Sequence, residues 1–209
     1  YASMSDVSSF AAARSARFQA LANDGEIEAL RNGQLSKIPD HWVGYCDRFT
    51  ALDCTGLTQI VAVGHKWLSK CTNLTAVDCT RLTRLTTVGH WWLYRCDSLT
   101  ALDCTELTQL ATVGHSWLHK CTGLTAIDCS GLTQLTTVGE FWLCRCTSLT
   151  AVNFTGLTRL ATVGYWWLYD CTSLTALNCT GLTGLVTVGD GWLAGCTRLT
   201  GVECAMLRV

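Results

Sequence analysis

Proline is nearly absent from this chain, one in 209 residues. Charge is scarce as well: Asp, Glu, Lys and Arg together make 15%, and the formal net charge is -1. A near-neutral chain has no electrostatic pull toward nucleic acid, so none is expected as a partner. No apolar run approaches the ~18 to 20 residues that cross a bilayer. No basic segment leads an apolar one at the N-terminus, so no signal peptide is expected. Cys-x-x-Cys does not occur, which removes the usual zinc spacing. There is no phosphate loop, no nucleophile with a placed base, and no carboxylate pair outside a repeating column. The expectation is a protein that is not an enzyme and needs no cofactor.

What is abundant is apolar material, 49% of the residues, with 14 cysteines and 9 tryptophans. It is arranged in a strict repeat of 25 residues. Blocks start at 49, 74, 99, 124, 149, 174 and 199 with FTALDC, LTAVDC, LTALDC, LTAIDC, LTAVNF, LTALNC and LTGVEC. A half repeat over 38–48 precedes them, its Ile38 to Cys46 aligning with Val63 to Cys71. In the first full block the recurring apolar positions are Phe49, Leu52, Cys54, Leu57, Ile60, Val63, Trp67, Leu68 and Cys71. The alternation Leu52-x-Cys54 predicts a short strand. Leu57, Ile60 and Val63 suit a turning, coil-like stretch. Trp67, Leu68 and Cys71, at i, i+1 and i+4, predict one face of a short helical turn, entered through Gly64. One block cannot bury so many apolar side chains, whereas stacked blocks can.

The motif Val-Gly-x-x-Trp-Leu-x-x-Cys-x-x-Leu-x-x-Leu resembles the BspA-like branch of the leucine-rich repeats, whose matching stretch commonly runs Ile-Gly-x-x-Ala-Phe-x-x-Cys-x-x-Leu-x-x-Ile. The likeness covers residues 38 to 209. The chain departs from it in a period of 25 where 23 is more usual, in Trp-Leu for Ala-Phe, and in lacking the proline after the strand, which accounts for the low proline content. The resemblance implies an α/β repeat solenoid with one parallel sheet face and helical turns on the opposite face. It also implies protein or surface binding, often at cell surfaces, and no catalytic residues.

Residues 4–37 lie outside the repeat and are expected to form an N-terminal helical cap over the 38–209 array, since an open solenoid end exposes core. The partial last block, with Met206, Leu207 and Val209, carries no polar cap, which leaves self-association through that end as an alternative. Thirteen cysteines fall in two columns, 46, 71, 96, 121, 146, 171, 196 and 54, 79, 104, 129, 179, 204, with Phe154 in the second where a cysteine is due. Phenylalanine replaces a small buried apolar group more readily than a bridged or ligating cysteine, so both columns read as free core thiols. Cys144, outside both, is expected to be exposed and reactive. Free-thiol ladders favour a reducing, cytoplasmic compartment. Cell-surface location is the alternative, and Asn73, Asn153 and Asn178 do lie in glycosylation sequons.

Function is sought where the blocks differ. Core positions hardly change, whereas positions flanking Trp67 and Leu68 vary strongly. They supply His65, Lys66, Ser69 and Lys70; His90, Trp91, Tyr94 and Arg95; His115, Ser116, His119 and Lys120; Glu140, Phe141, Cys144 and Arg145; Tyr165, Trp166, Tyr169 and Asp170. A bland solvent face would not gather Trp, Tyr and Arg, the types enriched at binding hot spots. This outer helical face is therefore the expected protein-binding surface. Within it, Lys70, Arg95, Lys120 and Arg145 form a basic row suited to an anionic partner. The alternative surface is the uniform strand face, where Asp53, Asp78, Asp103 and Asp128 continue as Asn153 and Asn178. Those like charges call for local hydrogen bonds, a cation or a basic ligand. A weaker candidate is a metal site of His90, His115, His119 and Glu140, because His115 and His119 would share a helical face at i, i+4.

Overall fold

The computed structural model describes residues 35–54 and 56–203. The expected N-terminal helical cap falls almost wholly outside them, as do Cys204 and the apolar tail. Each block forms one rung of a stack in which strand residues pair with their counterparts 25 positions away. Two strands per rung build two parallel walls. The two-residue strands Lys37–Ile38, Ala62–Val63, Thr87–Val88, Thr112–Val113, Thr137–Val138, Thr162–Val163 and Thr187–Val188 form one seven-stranded sheet. The three-residue strands pair in register as Ala51–Asp53 with Ala76–Asp78, Ala126–Asp128 with both Ala101–Asp103 and Ala151–Asn153, and Ala176–Asn178 with Gly201–Glu203. The single expected sheet face is thus joined by a second wall, at the stretch read as coil. In the strands Ala51–Asp53, Ala76–Asp78 and Ala101–Asp103 the central Leu52, Val77 and Leu102 are buried, and the flanking Ala and Asp are more exposed.

No helix is present among the described residues, so the expected helical turns are replaced by another conformation. From 65 to 70 the backbone alternates in hand: Lys66, Leu68 and Lys70 have φ of 60, 56 and 58°, and the residues between them do not. The pattern recurs at Trp91, Leu93 and Arg95, at Ser116, Leu118 and Lys120, at Phe141, Leu143 and Arg145, and at Trp166, Leu168 and Asp170. Alternation cancels the helical coil and lays the segment out across the rung. Its amides then bond between rungs instead of within a helix: Lys66 N–H donates to the His90 carbonyl at 2.7 Å, Lys70 N–H to that of Tyr94 at 2.6 Å, and Leu93 N–H back to that of Trp67 at 3.2 Å. A non-glycine residue at positive φ costs roughly 1–2 kcal/mol. The inter-rung bonds and the burial of Trp67 and Leu68, both fully enclosed, offset it.

Gly64, expected to loosen the entry to this segment, has a different role. Its column is one where adjacent backbones approach closely: a Cβ on Gly89 would lie 2.7 Å from the Gly64 carbonyl carbon, and one on Gly164 would lie 2.6 Å from Glu140 N. Any side chain there would hold the rungs apart.

The core is columnar. Tryptophans 67, 92, 117, 142, 167 and 192 stack with centroids 5.3–5.8 Å apart and planes within 9° of parallel. Among the described residues, the cysteines of both columns are unbridged, and all are buried except Cys196, which is partly exposed. In one column each thiol donates to the carbonyl of a positive-φ residue in the rung before, Cys96 to Leu68, Cys121 to Leu93 and Cys146 to Leu118 at 2.9–3.0 Å. A cysteine there is a small hydrophobe that also supplies a donor to a dry carbonyl. Phe154 takes the vacant place in the other column and lies 5.3 and 5.4 Å from the rings of Trp142 and Trp167.

Candidate functional site

The turn face consists of four columns carried by the alternating-hand segment. Because that segment is pinned to both neighbours, side chains 25 apart are held in register and those of adequate size touch. Column one holds Asp40, His65, His90, His115, Glu140 and Tyr165. Column two, one residue on, holds Lys66, Trp91, Ser116, Phe141 and Trp166. Column three holds Ser69, Tyr94, His119, Cys144 and Tyr169, and column four Lys70, Arg95, Lys120, Arg145 and Asp170.

Column one is a histidine stack. His65 lies 4.7 Å from His90, and His90 lies 4.6 Å from His115, ring over ring. Each Nδ1 accepts the backbone N–H of the next rung: His90 N–H to His65 Nδ1 at 2.9 Å, His115 N–H to His90 Nδ1 at 2.8 Å, and Glu140 N–H to His115 Nδ1 at 3.0 Å. Asp40 begins the series by accepting His65 N–H at 2.8 Å, a bond that lowers its pKa. Burial lowers the pKa of His90, and its two stacked neighbours lower it further. Accepting at Nδ1 requires the neutral ring with its proton on Nε2, so charging it breaks a rung contact.

Columns two and three carry the aromatics. His119 stacks on Phe141 at 5.1 Å, Phe141 on Trp166 at 4.8 Å, and Tyr94 meets His119 edge-on at 5.4 Å. Lys66 Nζ sits 5.3 Å from the Trp91 ring centre. Trp91, Trp166 and Tyr165 are 38, 40 and 48% exposed, whereas Tyr94, Phe141 and Tyr169 are half-buried. Burial pushes the pKa of His119 down to about 4, with Lys120 and Arg145 adding to it. In column four, Arg145 Nε approaches Asp170 Oδ2 at 3.4 Å and Lys70 Nζ lies 4.9 Å from the Tyr45 ring.

Three residues read as outer are inner. Cys144, expected to be exposed, is only 3% accessible, and Ser69 and Ser116 are buried too. Small side chains in a column are roofed by larger neighbours. Burial raises the Cys144 pKa to about 11, although Arg145 pulls the other way. The residues of the weaker metal candidate part company: His90, His115 and Glu140 stay in column one with the Nδ1 atoms already engaged, and His119 stacks in column three. Among the described residues, no three or more His, Cys, Asp or Glu side chains gather as a metal site. The i, i+4 relation between His115 and His119 depended on a helix that is not there.

The strand face resolves its own charge. Asp78 Oδ1 accepts the N–H and hydroxyl of Thr80 at 3.0 and 2.7 Å, and Asp103 those of Thr105 at 2.8 and 2.6 Å. Asp128 accepts Ser130 N–H, and Asn153 and Asn178 serve Thr155 and Thr180 in the same way. Asp53 heads the column, half-buried. These are local turn bonds. The histidine ladder and the thiol-to-carbonyl bonds were missed in the sequence. Their only trace there was histidine recurring at the same place in three successive blocks and cysteine preferred over alanine at a fixed core position.

A family model described as BspA type leucine rich repeat region matches residues 36–175 and 129–206, in six copies. Among solved structures, the chain is similar to a leucine-rich repeat protein from Bacteroides ovatus, with 17% identity over 81% of this chain and 52% of that one and a TM-score of 0.47. It is also similar to one from Eubacterium ventriosum, with 15% identity over 70% and 43% and a TM-score of 0.46. A third is the functional domain of InlJ from Listeria monocytogenes, which includes a cysteine ladder, with 18% identity over 76% and 43% and a TM-score of 0.25. The chain spans about half the length of these structures or less. The search of curated proteins returned no match. No helix among the described residues is long and apolar enough to cross a membrane.

Proposed function

We propose, from the premise that the chain belongs to the BspA-type leucine-rich-repeat family, that it is a non-enzymatic scaffold that binds a protein partner through its turn face. One observation carries the reading: exposed Trp91, Tyr165 and Trp166 stand on a backbone pinned in both directions, in columns that change from rung to rung. Rigid aromatic anchors with little conformational entropy to lose are what binding hot spots use. The contact surface comprises His65, Lys66, His90, Trp91, Tyr94, Arg95, His115, His119, Lys120, Phe141, Arg145, Tyr165, Trp166 and Tyr169. The strand face, by contrast, repeats one chemistry and spends its carboxylates on its own turns, so it supplies little specificity.

The test compares wild type with Trp91→Ala/Trp166→Ala/Tyr169→Ala and with Asp78→Asn/Asp103→Asn, all immobilised and exposed to the same protein mixture. Proteins held by wild type and the strand-face variant but lost from the turn-face variant support the proposal. Proteins lost from the strand-face variant alone overturn it. Circular dichroism of each variant confirms that the solenoid is intact.

A further inference from the structure

Lys70, Arg95, Lys120 and Arg145 lie one above another. Their amide N–H groups donate in turn to the carbonyls of Tyr94, His119, Cys144 and Tyr169 at 2.6–2.9 Å, which fixes the four in register. Rungs of a parallel ladder are ~4.8 Å apart, so the row places four cations along about 14 Å. Among the described residues only Arg145 has a carboxylate within ion-pair distance, that of Asp170 in the next rung. Lys70 rests on Tyr45, and Arg95 and Lys120 have no ion-pair partner among the described residues. The positive charge of the row is felt nearby: beyond the effect of burial, Lys120 and Arg145 both disfavour the charged form of His119. On the same turn face the aromatic strip His119, Phe141 and Trp166, stacked at 4.8–5.1 Å, starts in the rung of Lys120, passes that of Arg145 and ends in that of Asp170.

A row of like charges beside an apolar strip selects a partner with the complementary pair of stripes. An α-helix advances ~5.4 Å per turn, so carboxylates at i, i+4, i+7 and i+11 drift from the rungs by only about 2 Å over three intervals. Lysine and arginine side chains absorb that. An extended strand presents same-face side chains ~6.7 Å apart and drifts by about 6 Å over the same row. We infer that the basic row binds an acidic amphipathic α-helix of the protein partner, laid along the solenoid axis with its carboxylates on Lys70, Arg95, Lys120 and Arg145 and its apolar stripe on the aromatic strip. This rests on the turn face being the binding surface.

The positive φ at Arg95 and Lys120 gives a clean variant. Arg95→Gly/Lys120→Gly removes two charges at positions whose backbone suits glycine, so lost binding cannot be ascribed to strain. The probe is a labelled 16-residue peptide, crosslinked as a helix, with Glu at the four positions and Leu on the adjoining stripe. Controls are the same composition with the Glu residues spread around the helix, a proline-interrupted version, and heparin. Fluorescence anisotropy is read at low and high salt. The expected result is binding about tenfold tighter than either peptide control, weakened by salt, and weakened about tenfold in the double variant. Equal binding of the peptides, tighter binding of heparin, or unchanged binding by the double variant would overturn the inference. The turn-face reading fails separately, through the capture experiment with the aromatic variants.

Discussion

His119 should make the solenoid lose stability between pH 6.5 and about 4. Its ring is enclosed by Phe141 and Tyr94 and lies beside Lys120 and Arg145, and its pKa falls from 6.5 to about 4, burial being the larger cause. A histidine with a lowered native pKa is charged first in the unfolded chain, so stability is full above pH 6.5, falls as the unfolded state takes up the proton, and levels off below about 4. Each pKa unit is worth ~1.4 kcal/mol, which sets an upper limit of ~3.4 kcal/mol. The ring is not fully removed from water, and solvent screening reduces this to about 1–2 kcal/mol. His90 acts in the same direction. His119→Phe removes the titration and keeps a flat ring against Phe141. Urea midpoints and slopes at pH 7 and 4.5 give the change in unfolding free energy for both proteins. The variant should lose about 1–2 kcal/mol less than wild type. Parallel losses would refute the assignment of this pH dependence to His119.

Other outcomes follow from the same geometry. Gly114→Ala places a Cβ 2.8 Å from the Gly89 carbonyl carbon and should cost more than about 2 kcal/mol in urea unfolding, because rigid backbone lies on that side. Lys120→Gly, at φ 62°, should raise the urea midpoint by about 0.5–1 kcal/mol equivalent as the left-handed strain is relieved. Cys121→Ala leaves the buried Leu93 carbonyl without its thiol donor and should cost about 1–3 kcal/mol, with Cys121→Ser recovering part of that. Cys144 should resist a bulky maleimide at pH 8 until the protein is unfolded, being buried and held as the thiol by a pKa of about 11.

Much of this architecture was readable in the sequence because stacking copies one rung's pattern into every other. The period of 25, the core columns and the inert role of the cysteines followed from comparing blocks, and the leucine-rich-repeat class from the resemblance of the repeated motif to that family. The departure of Phe154 was informative because one irregular member shows what the regular ones do. The turn was misread for a physical reason. Buried positions at i, i+1 and i+4 fit a helical face, and no local propensity marks Lys66, Leu68 and Lys70 for positive φ. That conformation is imposed by hydrogen bonds to residues 24 and 26 positions away, which a window along the chain does not contain. The error carried over to the outer face, placing Cys144 in solvent and His119 beside His115. The second wall was missed for a similar reason: two residues are too few to show alternation, and Ala62–Val63 is a strand only because Lys37–Ile38 and Thr87–Val88 flank it.

The rungs are interchangeable in their interiors. Sliding the chain by one whole block would return apolar residues to apolar core places, the indoles of the Trp67 column to indole places and the glycines of the Gly64 column to close-approach places. Core packing therefore discriminates poorly between the native stack and one displaced by 25 residues, the repeat-protein form of a strand slipping its register. What distinguishes the rungs is the turn face: Arg145 finds Asp170, Phe141 finds Trp166, and His90 lies between two other histidines in only one alignment. The side chains proposed to recognise a partner also tell the chain which of its own rungs comes next, and a variant stripped of them would fold to several lengths of the same solenoid.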